Sequence, residues 1–196
     1  MRPIDYFLRS ASLSTNDVFL KDYKTEYSYK SAEVKIRLIA QALQARGLKQ
    51  NDSVAVYSPN NADAVICIFS AILAGASWVP VNIRNSVKSN IDYMKYVSTK
   101  WLFFDSSLET EIDSYEDKLT FLNQSICIDK NIEKHSSVED FIRTSADYHI
   151  NDSTDPFSSP DSVFSRWPTG GTTGPSKGVE MKNSNMIRNG MLLKKL

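Results

Sequence analysis

Hydrophobic residues change their spacing repeatedly along this chain, and each change marks one element giving way to the next. Residues 29–47, YKSAEVKIRLIAQALQARG, carry Ala32, Ile36, Ile39, Ala40 and Leu43 at helical spacing. Ser28 precedes them as an N-cap, Arg46 lies in the last turn and Gly47 stands just past the end, so a helix with one apolar stripe is predicted. DSVAVY, residues 52–57, is a run of small and β-branched residues bounded by Asp52 and Pro59, the pattern of a strand buried on both faces.

Residues 64–81 are uncharged throughout and about as long as a bilayer core requires. Gly75 and Pro80, with Ser77 between them, punctuate this run. It therefore divides into a buried helix up to Ala74, a glycine stop and a short strand, SWVPV, which leaves no transmembrane segment. The alternation continues with a helix near SVKSNIDYMKYV, a strand WLFF, an acidic segment, a strand SICID and a short helix near SVEDFIR. Strand and helix taking turns at this spacing predict an α/β fold with a layered, doubly wound, mainly parallel sheet. DSVFSRWP and GVEMKN read as two later strands leading to a terminal helix. Its Met186, Ile187, Met191, Leu192 and Leu193 form an apolar face with no later chain to cover it, so association through that face is expected.

Composition narrows the chemistry. Lys plus Arg and Asp plus Glu both count 23, a net charge of zero, so no overall field draws the molecule to nucleic acid. Cys67 and Cys127 each sit in an apolar stretch and read as reduced core residues, which fits a cytoplasmic location; Asp5 and Arg9 interrupt the apolar run that a signal peptide needs. Six acids between Asp105 and Asp117 match no calcium loop and read as a solvated helix face. His135 and His149 have no ligand-spaced neighbour and read as surface residues, and no metal site is assigned. Serine-hydrolase and zinc-peptidase motifs do not occur.

What remains is TGGTTGPSKGVE, residues 169–180. Successive amides in a glycine-rich turn form a concave anion site, threonine hydroxyls add donors and a lysine adds a mobile positive charge, a set suited to a polyphosphate such as that of ATP. The commonest phosphate-loop pattern is not matched, because Lys177 follows Ser176 and precedes Gly178. On composition alone a flexible hairpin loop is the alternative.

TGGTTGPSKGV resembles the phosphate-loop signature of the adenylate-forming superfamily, the AMP-binding enzymes that include acyl-CoA synthetases, luciferases and adenylation domains of nonribosomal peptide synthetases. The family usually has serine where Gly170 stands, and proline directly before the lysine, where this chain has Pro175 and Ser176 in swapped order. Residues 27–82 resemble the N-terminal pattern of the same family, with a G-D-x-V strand, a P-N turn and an A-G-A-x-x-V-P segment; Asn51 replaces the glycine before Asp52. The resemblance covers about half the chain. It implies a ligase that joins a carboxylic acid to AMP from ATP and passes the acyl group to a thiol such as coenzyme A. Thr169, Gly170, Gly171, Thr172, Thr173, Gly174 and Lys177 would hold the phosphates, with Mg2+ bridging their oxygens, and no residue of the chain is assigned to the chemical step.

The organisation expected is an N-terminal α/β subdomain over 1–150, a linker or surface loop over 151–162, and the start of a nucleotide-binding subdomain over 163–196. The family's base, ribose and acid-binding motifs follow its phosphate loop, so these residues are expected to form an N-terminal fragment, inactive alone. Two other classes stay open: another nucleotide-binding enzyme such as a nucleotidase or kinase, and a non-catalytic interaction domain of the same fold.

Overall fold

The computed structural model describes residues 2–145, 159–169 and 177–193, with 191–193 by backbone alone. The chain opens with helix α1 (Pro3–Leu13), started by proline and a reciprocal cap between Arg2 and Asp5. An antiparallel hairpin follows, β1 (Val18–Lys21) with β2 (Glu26–Ser28). The N-terminal helix and this hairpin are not among the elements that the hydrophobic pattern predicts. Asp22 in the hairpin turn accepts hydrogen bonds from the amides of Lys24, Thr25 and Ala62.

Helix α2 (Tyr29–Ala45) is capped by Ser28, whose hydroxyl accepts from the Ser31 amide, and ends before Gly47 at φ +90°. Strand β3 (Ser53–Tyr57) is buried along its whole length, as its apolar run predicts. Helix α3 (Ala62–Leu73) stops before Gly75, at φ +91°, and β4 (Ser77–Pro80) follows. The uncharged stretch is thus a helix and a strand, and no helix among the described residues is long and apolar enough to cross a membrane. Helix α4 (Val87–Tyr96), β5 (Thr99–Phe104), the short α5 (Glu109–Asp113), β6 (Gln124–Cys127) and α6 (Val138–Arg143) complete the alternation. Strands β7 (Val163–Pro168) and β8 (Gly178–Lys182) lead into α7 (Asn183–Leu193).

Six strands form one sheet in the order β6-β5-β3-β4-β7-β8, parallel except for β8. Alternate residues of the central strands feed two cores. On one face Val54, Val56, Trp101 and Phe103 pack with α1, α2, α3 and α6; on the other Ala55, Tyr57, Leu102 and Phe104 pack with α4 and α5. Helices on both faces make the sheet doubly wound, as predicted. Cys67 and Cys127 are buried free thiols, and burial pushes the Cys67 thiol up.

A polar cluster clamps the helical layer. Lys35 Nζ lies 2.9 Å from Asp63 Oδ1, 2.8 Å from the Tyr27 hydroxyl and 3.5 Å from Glu139 Oε1, while the Tyr27 hydroxyl donates to Asp63 at 2.5 Å. Burial and then the bond to Asp63 push Tyr27 up to about 12. Burial alone would lower Lys35, but its bonds to Tyr27 and Asp63 raise it, so it stays charged.

On α7, Met186 packs against the larger core, and the side chains of Met191, Leu192 and Leu193 fall outside the described residues. Residues 151–158 of the expected linker also fall outside them. Ser159 and Ser162, at its end, bond through their carbonyls to Asn183 and join the start of β7 to α7.

Candidate nucleotide-binding site

Strands β7 and β8 form an antiparallel hairpin whose loop end lies at the carboxyl end of β7, the edge of the parallel strands where α/β sheets take their ligands. Thr169 and Lys177 face each other across its mouth. The Thr169 amide donates to the Lys177 carbonyl at 2.8 Å, the Thr169 hydroxyl donates to the same carbonyl at 3.1 Å, and the Lys177 amide donates to Thr169 Oγ1 at 3.2 Å. These bonds use the backbone of Lys177 and leave its exposed ammonium available to an anion. The intervening Gly170, Gly171, Thr172, Thr173 and Gly174 lie outside the described residues. Gly178 opens β8 against the end of α4: a Cβ there would sit 3.3 Å from Val97 Cγ1, tighter than most Cβ contacts, and in ordinary contact with the Tyr93 hydroxyl at 3.5 Å.

Arg166 fixes the hairpin to the centre of the sheet. One of its terminal nitrogens donates to Ser53 Oγ at 2.6 Å and to the Asn51 carbonyl at 3.2 Å, and its Nε donates to Glu180 at 3.0 Å. Asn51 reciprocates, its side-chain oxygen accepting from the Val163 amide at 3.1 Å while its own backbone takes φ +63°. Asparagine tolerates this left-handed position, so the departure from the family's glycine keeps the turn and adds an anchor. A cleft of about 590 Å³ lies beside Arg166, lined also by Lys100, Tyr96 and Glu180.

On the other side of the hairpin, Trp167 stands edge-on to Trp78, ring centres 5.2 Å apart at 78°. The Trp167 indole N–H donates to Ser165 Oγ at 2.7 Å, which fixes the ring. Together with Val56, Ser58, Ala64 and Pro80 these rings border a cavity of about 280 Å³ at the carboxyl ends of β3, β4 and β7. Neither the Arg166 anchor nor this cavity is named by the sequence motifs, although aromatic residues at strand positions flanking a glycine loop are the signal that could have pointed to the cavity.

His135 departs from its expected surface position. Its side chain is 9% exposed, Nδ1 lies 2.8 Å from Ser125 Oγ, Nε2 lies 3.1 Å from Asp113 Oδ1, and the ring meets Phe104 edge-on at 4.9 Å. The loop after β6 folds back through the bond from the Cys127 amide to the Ser136 carbonyl and thereby turns this residue inward. Asp113 therefore faces a partner rather than solvent alone, which modifies the reading of the acidic stretch. His149 lies outside the described residues. Among the described residues no three carboxylate, thiol or imidazole groups converge on a metal position.

A mainly parallel sheet wound on both faces is the architecture of α/β enzymes that take ligands at the carboxyl edge. The model of the AMP-binding enzymes matches residues 7–195, and the chain belongs to that family. It is 23% identical over 186 residues to cyclosporin synthetase of Tolypocladium inflatum, covering 94% of this chain and 1% of that protein. It is 24% identical over 154 residues to luciferin 4-monooxygenase of Photuris pensylvanica, covering 76% of this chain and 28% of the other. Among solved structures, an anthranilate CoA ligase in complex with anthranoyl-AMP superposes with a TM-score of 0.88 at 18% identity, covering 98% of this chain and 36% of the ligase. The o-succinylbenzoate coenzyme A synthetase of Bacillus subtilis in complex with AMP gives a TM-score of 0.73 at 18% identity, covering 97% and 45%. The chain thus spans less than half the length of each of these relatives.

Proposed function

We propose that these residues serve an ATP-dependent ligase that activates a carboxylic acid as its acyl-adenylate and transfers the acyl group to a thiol, with coenzyme A as acceptor. The observation that carries this reading is the mouth of the β7–β8 hairpin, where Thr169 and Lys177 are held across from each other at the carboxyl edge with the lysine ammonium exposed. In this reading Thr169, Gly170, Gly171, Thr172, Thr173, Gly174 and Lys177 hold the β and γ phosphates of ATP, and residues from 163 onward open the nucleotide-binding part of the molecule. Of the described groups at the hairpin tip, the exposed, flexible ammonium of Lys177 is the one suited to phosphate oxygens, because the amides of Thr169 and Lys177 and the Thr169 hydroxyl already bond across the tip. Magnesium, when bound, neutralises charge on those oxygens; the described residues offer it no side-chain cage, so the phosphates would carry it. Lys177 orients the phosphates, and no residue of this chain is given a bond-making role.

The 196-residue polypeptide alone should bind ATP weakly and form no acyl-adenylate. Alignment of the reacting groups supplies as much as ~7 to 11 kcal/mol of barrier reduction, and in this family the base and ribose contacts lie beyond the phosphate loop. ATP titration and pyrophosphate–ATP isotope exchange test the reading. Expected are weak binding abolished by Lys177→Ala, no exchange by the chain alone, and exchange once the chain is joined to the remaining length of a relative. Absence of ATP binding, or absence of exchange from the joined protein, overturns it.

A further inference from the structure

At the edge of the sheet opposite β8, three polar side chains from separate elements are linked. Asp113 ends α5, Ser125 lies in β6 and His135 stands on the loop beyond β6. His135 Nε2 is 3.1 Å from Asp113 Oδ1, and its Nδ1 is 2.8 Å from Ser125 Oγ. Strands β5, β3 and β4 separate β6 from the β7–β8 hairpin, so the phosphate loop has no part in this cluster.

The chemistry of the acceptor sets the order of the protons. At neutral pH a carboxylate only accepts, so Nε2 carries the ring proton, the neutral ring keeps its lone pair on Nδ1, and Ser125 Oγ donates to it. Nucleophile, base and orienting carboxylate in this order activate a serine hydroxyl, and such a triad is recognised by geometry rather than by sequence position. The ring is held in place, since its side chain is 9% exposed and meets Phe104 edge-on at 4.9 Å. Lys134 Nζ, 2.8 Å from Glu116, lies 3.7 Å from Asp113 Oδ2 and holds the carboxylate from its second oxygen.

Ser125 and His135 open on a cleft of about 310 Å³, lined also by Ile112, Leu119, Leu122 and Lys134. That volume falls within the usual range for small-molecule sites, ~300–1,000 Å³. Because β6 is an edge strand, the Cys127 amide leaves the sheet to bond the Ser136 carbonyl at 2.9 Å. Two positions earlier the Ser125 amide faces the same way, turned from β5, and is a donor beside the nucleophile for a developing oxyanion.

We propose that Ser125, His135 and Asp113 hydrolyse small carboxylic esters, an activity apart from the ligase reaction. Ser125 Oγ adds to the ester carbonyl while His135 Nδ1 takes its proton; the bond to the alkoxy group then breaks, and the departing oxygen takes that proton from the ring. Water adds to the acyl-serine and gives a proton to Nδ1, and collapse releases the carboxylic acid and returns the proton to Ser125. Water is the one co-reactant, and nothing is oxidised or reduced. Ser125 and His135 touch the reacting atoms, whereas Asp113 is a positioning residue that acts through the ring. Ile112, Leu119 and Leu122 give the acyl group an apolar wall, and the volume suits a short acyl chain.

Two measurements on the 196-residue chain test the proposal. A fluorophosphonate, which phosphonylates an activated serine, should label the folded chain at Ser125, read by peptide mass mapping, and should leave it unlabelled in urea. The acetate and butyrate esters of p-nitrophenol should be hydrolysed saturably, and the palmitate ester should not. Ser125→Ala and His135→Gln should each lower kcat/KM by about 10²-fold or more, the scale of general-base assistance. Asp113→Asn should lower kcat at unchanged KM, and Asp113→Glu should restore part of the loss, which separates orientation of the ring from packing alone. Urea unfolding checks that each variant folds, and the label on the unaltered chain decides the matter where one does not. No label at Ser125, equal label in urea, label without ester turnover, or turnover undiminished in folded Ser125→Ala overturns the proposal.

Discussion

Replacing Arg166 by leucine removes the anchor between the β7–β8 hairpin and the middle of the sheet. The Arg166 side chain is 16% exposed, and its acceptor Ser53 is 2% exposed, so the 2.6 Å bond between them is shielded from water. A hydrogen bond to a charged group contributes about 1.5–3 kcal/mol, and this one belongs in the middle of that range. The bond to the Asn51 carbonyl is longer and lies at the rim, and Glu180 is 55% exposed, so its ion pair contributes about 0–1 kcal/mol. Leucine keeps part of the packing of the arginine stem. The net loss should be about 3 kcal/mol, a fall in melting temperature of roughly 6–12 °C for a domain of this size. Urea and thermal unfolding of Arg166→Leu, Ser53→Ala, Glu180→Gln and the Arg166→Leu/Ser53→Ala pair measure it. Glu180→Gln should cost less than about 1 kcal/mol, and the pair should show a coupling above ~1 kcal/mol. If Glu180→Gln costs as much as Arg166→Leu, or the pair is additive, the anchor is not the buried bond to Ser53 and the reasoning fails.

Lys177→Ala should abolish ATP binding while changing unfolding free energy by no more than about 0.5 kcal/mol, because the side chain is exposed and unburdened by packing; parallel titration and urea unfolding check both halves. Asp63→Asn should cost about 1–2 kcal/mol and lower the Tyr27 titration from about 12, since a charged acceptor of its proton is lost; tyrosinate absorbance reads the shift. The chain should also lose stability in acid. Asp22 is held low by the amides of Ala62, Lys24 and Thr25, Asp129 is held low by Ser106 despite burial that opposes it, and Asp140 is held low by Arg143. Folded values below the unfolded carboxylate value mean that this contribution is complete above about pH 3.9 and drains away as pH falls through the folded values. Melting temperatures should therefore hold between about pH 6 and 5 and drop below about 4, with a shallower drop in Asp22→Asn.

The central strands were legible because burial on both faces writes a continuous apolar run, as in Val54–Val56 and Trp101–Phe104. The helix stop at Gly75 was legible for a related reason, since its φ of +91° favours glycine. The hairpin β1–β2 was not: its strands are short and half-exposed, and its role depends on Asp22 meeting the start of α3 across the fold. His135 was misread because its partners, Asp113 and Ser125, approach only after the loop beyond β6 folds back. Of the candidate site, the sequence announced the loop through its glycines and threonines. The reach of Arg166 to Ser53 is a tertiary fact with no local pattern to betray it.

The join between β4 and β7 rests on a single registered pair, Trp78 with Ser165, supplemented by the bond from Ser77 Oγ to the Val163 carbonyl and by the Arg166 anchor. The ladders among β3, β4, β5 and β6 are much longer. Mechanically, the hairpin is a bracket bolted to a plate by side chains rather than a plank of the plate itself. Such a unit opens with its own, smaller free energy while the plate stays shut, so movement of β7 and β8 need not draw on the stability of the core.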